Sequence, residues 1–217
     1  MIEIIMEFIS SLYRGIYKRL SSIVWKSRFE SFGDNSFIYK PLHIKGTNIH
    51  IGDNVFINRG VWLASDPLAC NGKALLKIGD GSVIGHFNEI YSTGSIIIEN
   101  HVLTADRVYI SDNIHGYGNI EVPILQQPIV QKKEVRIGEG SWLGVGVSVI
   151  GASIGKHCVI GSNAVVTKDI PDYCVAAGIP AKVIKRFNFT TQQYENEDIR
   201  QIGGGKGLFL SYCPCAA

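Results

Sequence analysis

The sequence predicts an all-β fold built as a parallel coil of short strands. Three observations carry that expectation. An aliphatic residue returns about every six positions through four runs between Ile51 and Ile170, 24 of the 217 residues are glycine, and the long breaks fall between those runs. A helix repeats near 3.6 residues and a simple strand near 2, so a sustained six fits neither as one continuous element. Short strands joined by tight turns do fit, each unit forming one side of a coil with its aliphatic first position stacked inside. Glycine tolerates the turn dihedrals with φ > 0. A β-sandwich would show period 2 with turns every 8–12 residues, which these segments lack.

The elements follow in chain order. Ile2, Ile5, Ile9, Leu12, Ile16, Leu20 and Ile23 advance in steps of three and four, which predicts an amphipathic helix in a separate segment, residues 1–33. Arg14, Lys18, Arg19, Lys26 and Arg28 suit an anionic membrane surface, although packing on the protein's own oligomer is the preferred reading. The coil domain is expected over 34–187. From Ile51 it reads IGDNVF-INRGVW-LAS, is interrupted at 66–77, and resumes as IGDGSV-IGHFNE-IYSTGS. Ser95-Ile96-Ile97 adds length before IENHVL-TADRVY-ISDNIH. Residues 116–136, with Pro123 and Pro128, break the rhythm entirely; a loop of that length in a compact domain is usually functional. The last run is IGEGSW-LGVGVS-VIGAS-IGKHCV-IGSNAV-VTKDI, in which the unit Val149–Ser153 is one residue short and should mark a local kink. Fifth positions are small or medium: Val55, Val61, Ser82, Val102, Val108, Ser141, Val147, Cys158 and Ala164. Residues 188–217 are expected to be a tail. Its GGGKG is no phosphate loop, because no Ser or Thr follows the lysine.

Composition narrows the class. An apolar share of 46% supplies a core, and a formal net charge of +2 gives no reason to expect nucleic acid as a partner. No apolar run approaches the ~20 residues of a membrane span, and Glu3 and Glu7 stand where a secretory signal has basic residues. Cys70, Cys158, Cys174, Cys213 and Cys215 form neither zinc knuckles nor a disulfide framework, so a reducing cytoplasm is the simplest compartment.

The hexapeptide rhythm, with the run IGSNAVVTKDIPDYCVAAGIPAKVIKR at Ile160–Arg186, resembles the hexapeptide-repeat acyltransferases. The closer similarity is to the branch of maltose, galactoside and surface-polysaccharide O-acetyltransferases. It covers roughly residues 34–187, and VVTKDIP and AGIPAKVIK are its most specific pieces. The resemblance implies a left-handed parallel β-helix, a homotrimer with active sites between subunits, and acetyl-CoA as donor. It also implies acetyl transfer to a saccharide hydroxyl, in bacterial surface polysaccharide synthesis. The shortened VIGAS unit departs from the family's usual six-residue unit and bears on groove geometry.

His115 matches the family's catalytic histidine, in a D-x-x-H-G context that Asp112–Gly116 reproduces at the edge of the long loop. A sugar hydroxyl must lose its proton as it attacks a thioester, and an imidazole with an ordinary pKa of ~6.5 can take it. Asp112 is a candidate to orient the ring, with a backbone acceptor as the alternative. Asn88 matches the asparagine of the branch's acceptor motif, or is a stacked core-edge asparagine. For the donor, the resemblance places Gly144, Val145 and Ser162 along the pantetheine groove, with Trp142 as its wall. Thr167, Lys168, Lys182, Lys185 and Arg186 supply hydroxyl and cationic partners. No metal is expected. A β-helix hydratase would need converging histidines, whereas His86, His101 and His115 are out of phase in their units. N-acetylation of a nucleotide-linked amino sugar and a non-catalytic scaffold are the remaining alternatives.

Overall fold

The computed structural model describes residues 15, 17, 19–68, 72 and 74–197. The expected first helical turns, Cys70, Cys213, Cys215 and GGGKG lie outside them. The chain winds as a three-sided coil. One face stacks Ser31–Phe32, Ile49–Ile51, Leu75–Ile78, Ser95–Ile98 and Val135–Ile137, all parallel. The second stacks Phe37–Ile38, Phe56–Ile57, Val83–Ile84, Leu103–Thr104, Trp142–Leu143, Val159–Ile160 and Cys174–Ala177, again parallel. The third stacks His43–Lys45, Trp62–Ser65, Glu89–Ser92, Tyr109–Ser111, Ser148–Ile150 and Val165–Val166.

The period of six has a direct physical meaning here, because each unit is one side plus its turn. First positions such as Ile51, Ile57, Leu63, Ile78, Ile84, Ile90, Ile98 and Ile110 are buried in columns. Each such side chain contributes roughly 1.5–3 kcal/mol by leaving water. All nine of the small and medium fifth positions are buried as well. Among them Ser82 and Ser141, with Ser36 one coil pair earlier, stay buried by satisfying the backbone. Their hydroxyls accept from the N–H of Val102, Cys158 and Val55 at 3.1, 2.9 and 3.0 Å and donate to the carbonyls of Glu99, Gly155 and Gly52.

The corner between the first and second faces is the same in every coil. Asn35, Asn54, Gly81, His101, Gly140, His157 and Tyr173 occupy its left-handed position in turn. Asp53, Asp80 and Asn100 each accept the N–H of the equivalent residue one coil back, at 2.6, 2.8 and 2.9 Å. The corner between the third and first faces, by contrast, holds every irregularity in the rhythm. The 66–74 insertion is there, and so is the long break, which turns out to be a hairpin. Asn113–His115 pairs antiparallel with Ile129–Gln131, and a short 3₁₀ turn, Ile124–Gln126, lies between them. Val135 is already back in the first face and buried, so the excursion ends slightly earlier than the rhythm predicts. At the short Val149–Ser153 unit, Gly151 takes φ +57° and the first face narrows to the single bridges Ile137–Ile154–Ile170.

At the start of the coil, a helix over 19–28 brings Trp25 onto Phe29, rings stacked at 5.3 Å, beside buried Phe32. At its other end the second face continues antiparallel through Lys182–Asn188 and Gln193–Asn196. The expected tail therefore begins with ordered strand, because Tyr194 and Glu195 pair with Phe187 and Arg186.

Candidate active site

The hairpin projects beside the outer surface of the third face. Side chains alternate across a strand, so the residues flanking each buried aliphatic point outward. In register across that surface stand His43, Trp62, Glu89, Tyr109, Ser148 and Val165, and next to them Lys45, Ala64, Tyr91, Ser111 and Ile150. Trp62, Glu89, Tyr91, Tyr109 and Ile150 form a cavity of about 540 Å³ with Asn113, His115 and Ile129 of the hairpin. Trp62 and Tyr91 meet edge to face at 6.0 Å. The Tyr91 hydroxyl donates to Asp66 at 3.3 Å, and Asp66 pairs with Lys45. Burial and the Asp66 charge push the Tyr91 hydroxyl above its ordinary pKa.

His115 is exposed on the wall of this cavity, and among the described residues nothing hydrogen-bonds its ring. Its backbone is held by pairing opposite Ile129 and by the Gly116 N–H, which donates to the Pro128 carbonyl at 2.9 Å. The free ring has both nitrogens available to an acceptor and a leaving group.

Asp112 does not orient that ring. The carboxylate is fully buried and its oxygens are taken up by the turn beneath the hairpin. It accepts the backbone N–H groups of Thr93, Gly94 and Ser95, each at 2.8 Å. The Asn113 amide is a further donor, and the Ser92 and Thr93 hydroxyls lie within 3.1 and 3.2 Å of the carboxylate oxygens. Burial alone would raise its pKa, but these hydrogen bonds outweigh it and hold the group below the usual carboxylate value. The same turn fastens the returning strand: Thr93 Oγ1 donates to Gln131 Oε1 at 2.5 Å, and Gln131 Nε2 donates to the Asp112 carbonyl at 3.0 Å. Asp112 is therefore the root of the hairpin that presents His115.

Asn88 is the second correction. It is fully buried in the column otherwise made of Val61, Val108, Val147 and Ala164. Its amide donates to Thr104 Oγ1 at 2.5 Å and its oxygen accepts the Val108 N–H at 2.6 Å. Both polar ends are spent inside the coil, so the core-edge alternative holds and no acceptor contact is left to it.

The expected donor residues separate into groups. Gly144, Val145 and Ser162 stack at the corner between the second and third faces; a Cβ on Gly144 would lie 2.8 Å from Ser162 N and Oγ. Trp142 faces outward on the second face, half exposed. Thr167 and Lys168 are exposed at the opposite corner of the third face, and Lys182 and Lys185 on the strand that follows. Segment 178–181 runs beside the last strand of the third face, through Val165 N–H to the Gly178 carbonyl and Ala181 N–H to the Val165 carbonyl. Arg186 is different. Its Nε donates to both carboxylate oxygens of Glu197, at 3.0 and 2.8 Å, so it closes the terminal sheet and is no free phosphate partner.

The other histidines have local partners. His101 and His157 lie under Gly81 and Gly140 at the regular corner, His157 stacked on Tyr173 at 5.8 Å. His86 bonds Asp106, and His50 bonds Ser31 and Asn48. Among the described residues no three His, Cys, Asp or Glu side chains converge on one point. Glu89, Trp62 and Tyr109 were missed by the sequence reading. The signal was present, because each is the sixth residue of a third-side unit (INRGVW, IGHFNE, TADRVY).

Residues 134–168 match the family model described as a hexapeptide repeat of succinyl-transferase. The chain is 31% identical over 188 residues to the galactoside O-acetyltransferase of Lactococcus lactis, covering 85% of this chain and 73% of that one. It is 32% identical over 163 residues to an Escherichia coli K12 protein named as a lipopolysaccharide biosynthesis O-acetyl transferase, WbbJ, with coverage of 71% and 81%. A Mycobacterium tuberculosis protein named as an acetyltransferase, Rv3034c, is 42% identical over 145 residues, 65% of this chain, and this chain matches only about half (48%) of its length. In structure, the N-acyltransferase AntD of Bacillus cereus superposes with a TM-score of 0.64 at 20% identity, over 79% of this chain and 90% of that one. With its parallel three-sided coil and its hexapeptide period, the chain belongs to the hexapeptide-repeat acyltransferases and has their left-handed β-helix.

Proposed function

We propose that this protein transfers an acetyl group from acetyl-CoA to a saccharide hydroxyl, in the building of a bacterial surface polysaccharide. The observation that carries the reading is His115: exposed, with no hydrogen-bond partner for its ring among the described residues, and set on the wall of an aromatic cavity in a member of this family. The relatives named for galactoside and lipopolysaccharide O-acetylation support a sugar acceptor.

His115 takes the hydroxyl proton as the new C–O bond forms at the acetyl carbonyl carbon. The carbonyl π electrons move onto oxygen, and the tetrahedral centre collapses with cleavage of the C–S bond. The imidazolium returns its proton to the departing thiolate, so the histidine ends neutral. Gly144, Val145 and Ser162 offer a close backbone edge to the pantetheine arm. Lys168, Lys182 and Lys185, exposed and without partners among the described residues, offer charge to its phosphates.

A homotrimer with sites between subunits fits two exposed apolar features. One is the second-face ladder Phe56, Leu103 and Trp142; the other is the excursion tip with Ile120 and Leu125, 92% and 88% exposed. The helix also leaves Leu20, Ile23 and Val24 exposed, consistent with peripheral contact at the cytoplasmic membrane surface.

The test is mass spectrometry of sugars, amino sugars and glycan intermediates incubated with labelled acetyl-CoA. An ester-linked acetyl group that hydroxylamine removes is the expected product. Label found only in amide linkage on a nucleotide-linked amino sugar would replace this reading with N-acetylation.

A further inference from the structure

Glu89 is the one carboxylate in the lining of the His115 cavity among the described residues, and it has no task in the fold. It projects outward in register between Trp62 and Tyr109 on neighbouring coils. It is exposed, and no described side chain or backbone group pairs with its carboxylate. The lining holds no lysine or arginine among the described residues. Lys45, the cation of the same face, is bound by Asp66. Arg107 lines the neighbouring cavity with Glu89 but forms no ion pair with it, and an unpaired acid between two aromatic rings, in the same cavity as the general base, has ligand-binding chemistry.

We propose that Glu89 recognises the acceptor, its two carboxylate oxygens accepting hydrogens from hydroxyls on adjacent carbons of a sugar ring packed against Tyr109 and Trp62. The inference rests on the saccharide reading above and names the residue that reads the ring. A planar carboxylate matches a vicinal diol as it matches other paired donors, and hydrogen bonds to an ionised acceptor are the stronger kind. The C–H face of a pyranose is apolar and packs on an aromatic surface, while the ring hydroxyls need polar partners at its edge. The same negative charge disfavours an acceptor that brings a phosphate into this cavity, so a glycoside is preferred to a nucleoside-diphosphate sugar.

The experiment compares wild type with Glu89→Ala and Glu89→Gln. The acceptors are p-nitrophenyl hexopyranosides, their monodeoxy analogues and a nucleoside-diphosphate hexose. Glu89→Ala is expected to lower acceptor kcat/KM roughly 10- to 100-fold, mainly through KM, with KM for acetyl-CoA unchanged. Deleting one of the two hydroxyls that Glu89 holds should cost wild type a similar factor and cost Glu89→Ala nothing further. Glu89→Gln should recover part of the loss, and the handicap of the nucleoside-diphosphate hexose should narrow in Glu89→Ala. A change below about twofold in Glu89→Ala, or deoxy penalties that multiply independently of it, overturns the inference while the saccharide reading stands. Wild type that acetylates no saccharide overturns both. Because Glu89 lies on the outer surface, thermal unfolding of the variants should match wild type, which separates recognition from folding.

Discussion

Two corners of the coil meet the same geometric demand in opposite ways. The corner between the first and second faces repeats one solution from Asn35 to Tyr173: a left-handed residue and a side-chain oxygen or ring passed from coil to coil. The corner between the third and first faces never repeats itself. It carries the 66–74 insertion, the Asp112-bound turn, the His115 hairpin and the short Gly151 turn. In the first corner each residue is locked by the coils above and below, so an insertion would break two neighbours at once. In the second the chain leaves the stack and returns, and what happens outside does not disturb the columns. Stability resides in the regular corner and chemistry in the irregular one.

Substitutions can break that contrast. The largest effect is expected for His115→Ala, a kcat loss of roughly 10²–10⁴. Its stability to denaturant should stay within about 0.5 kcal/mol of wild type, as for other exposed positions; a rate close to wild type would remove His115 from the mechanism. Asp112 crosses the divide, being in the irregular corner but fully buried. Asp112→Ala leaves the N–H groups of Thr93, Gly94 and Ser95 without their acceptor and should cost about 3 kcal/mol or more. It should also slow turnover by misplacing His115, without moving the pH dependence of the remaining rate.

Acid titration sharpens the same point. The folded Asp112 pKa is below the unfolded carboxylate value, so its contribution is fully present above that value of ~3.9. It is lost as pH falls through the folded pKa. Stability of wild type and Asp112→Asn, measured with urea, should differ most at neutral pH and converge below about pH 4; a constant gap would remove the carboxylate charge from the account. In the regular corner, Gly81 has φ +66° and a Cβ there would run into the His101 ring. Gly81→Ala should cost about 1–2 kcal/mol and leave kcat unchanged. The smallest expected effect is at the donor end. Lys182→Ala should weaken CoA binding roughly two- to fivefold, while Arg186→Ala, already occupied by Glu197, should leave it unaltered. Calorimetric titration with CoA measures both.

The coil was legible because its signal is local and repeated: one aliphatic column and one small-residue column recur at fixed spacing whatever the neighbours are. The site was legible in part. His115 announced itself at the edge of the longest break. The roles of Asp112, Asn88 and Arg186 depend on Gly94, Thr104 and Glu197, partners that the winding or the terminal sheet supplies and that motif order along the chain does not reveal. Glu89 needed only one further step, the alignment of sixth positions on a single side. The kink expected at Val149–Ser153 has its cause in packing as well, since the Lys132 stem lies against Gly151, where no Cβ fits.

The two ends of the stack have a consequence of their own. A parallel coil adds each new turn by the same backbone pairing, so nothing in the repeat itself limits its length, and a bare terminal coil is a template for another molecule. Here the helix over 19–28, with Trp25 stacked on Phe29, sits at one end, and the reversed strands Lys182–Asn188 and Gln193–Asn196 turn the second face antiparallel at the other. These elements interrupt the parallel repeat at both ends of the described coil, so the next molecule meets a different surface from the one each coil offers its neighbour.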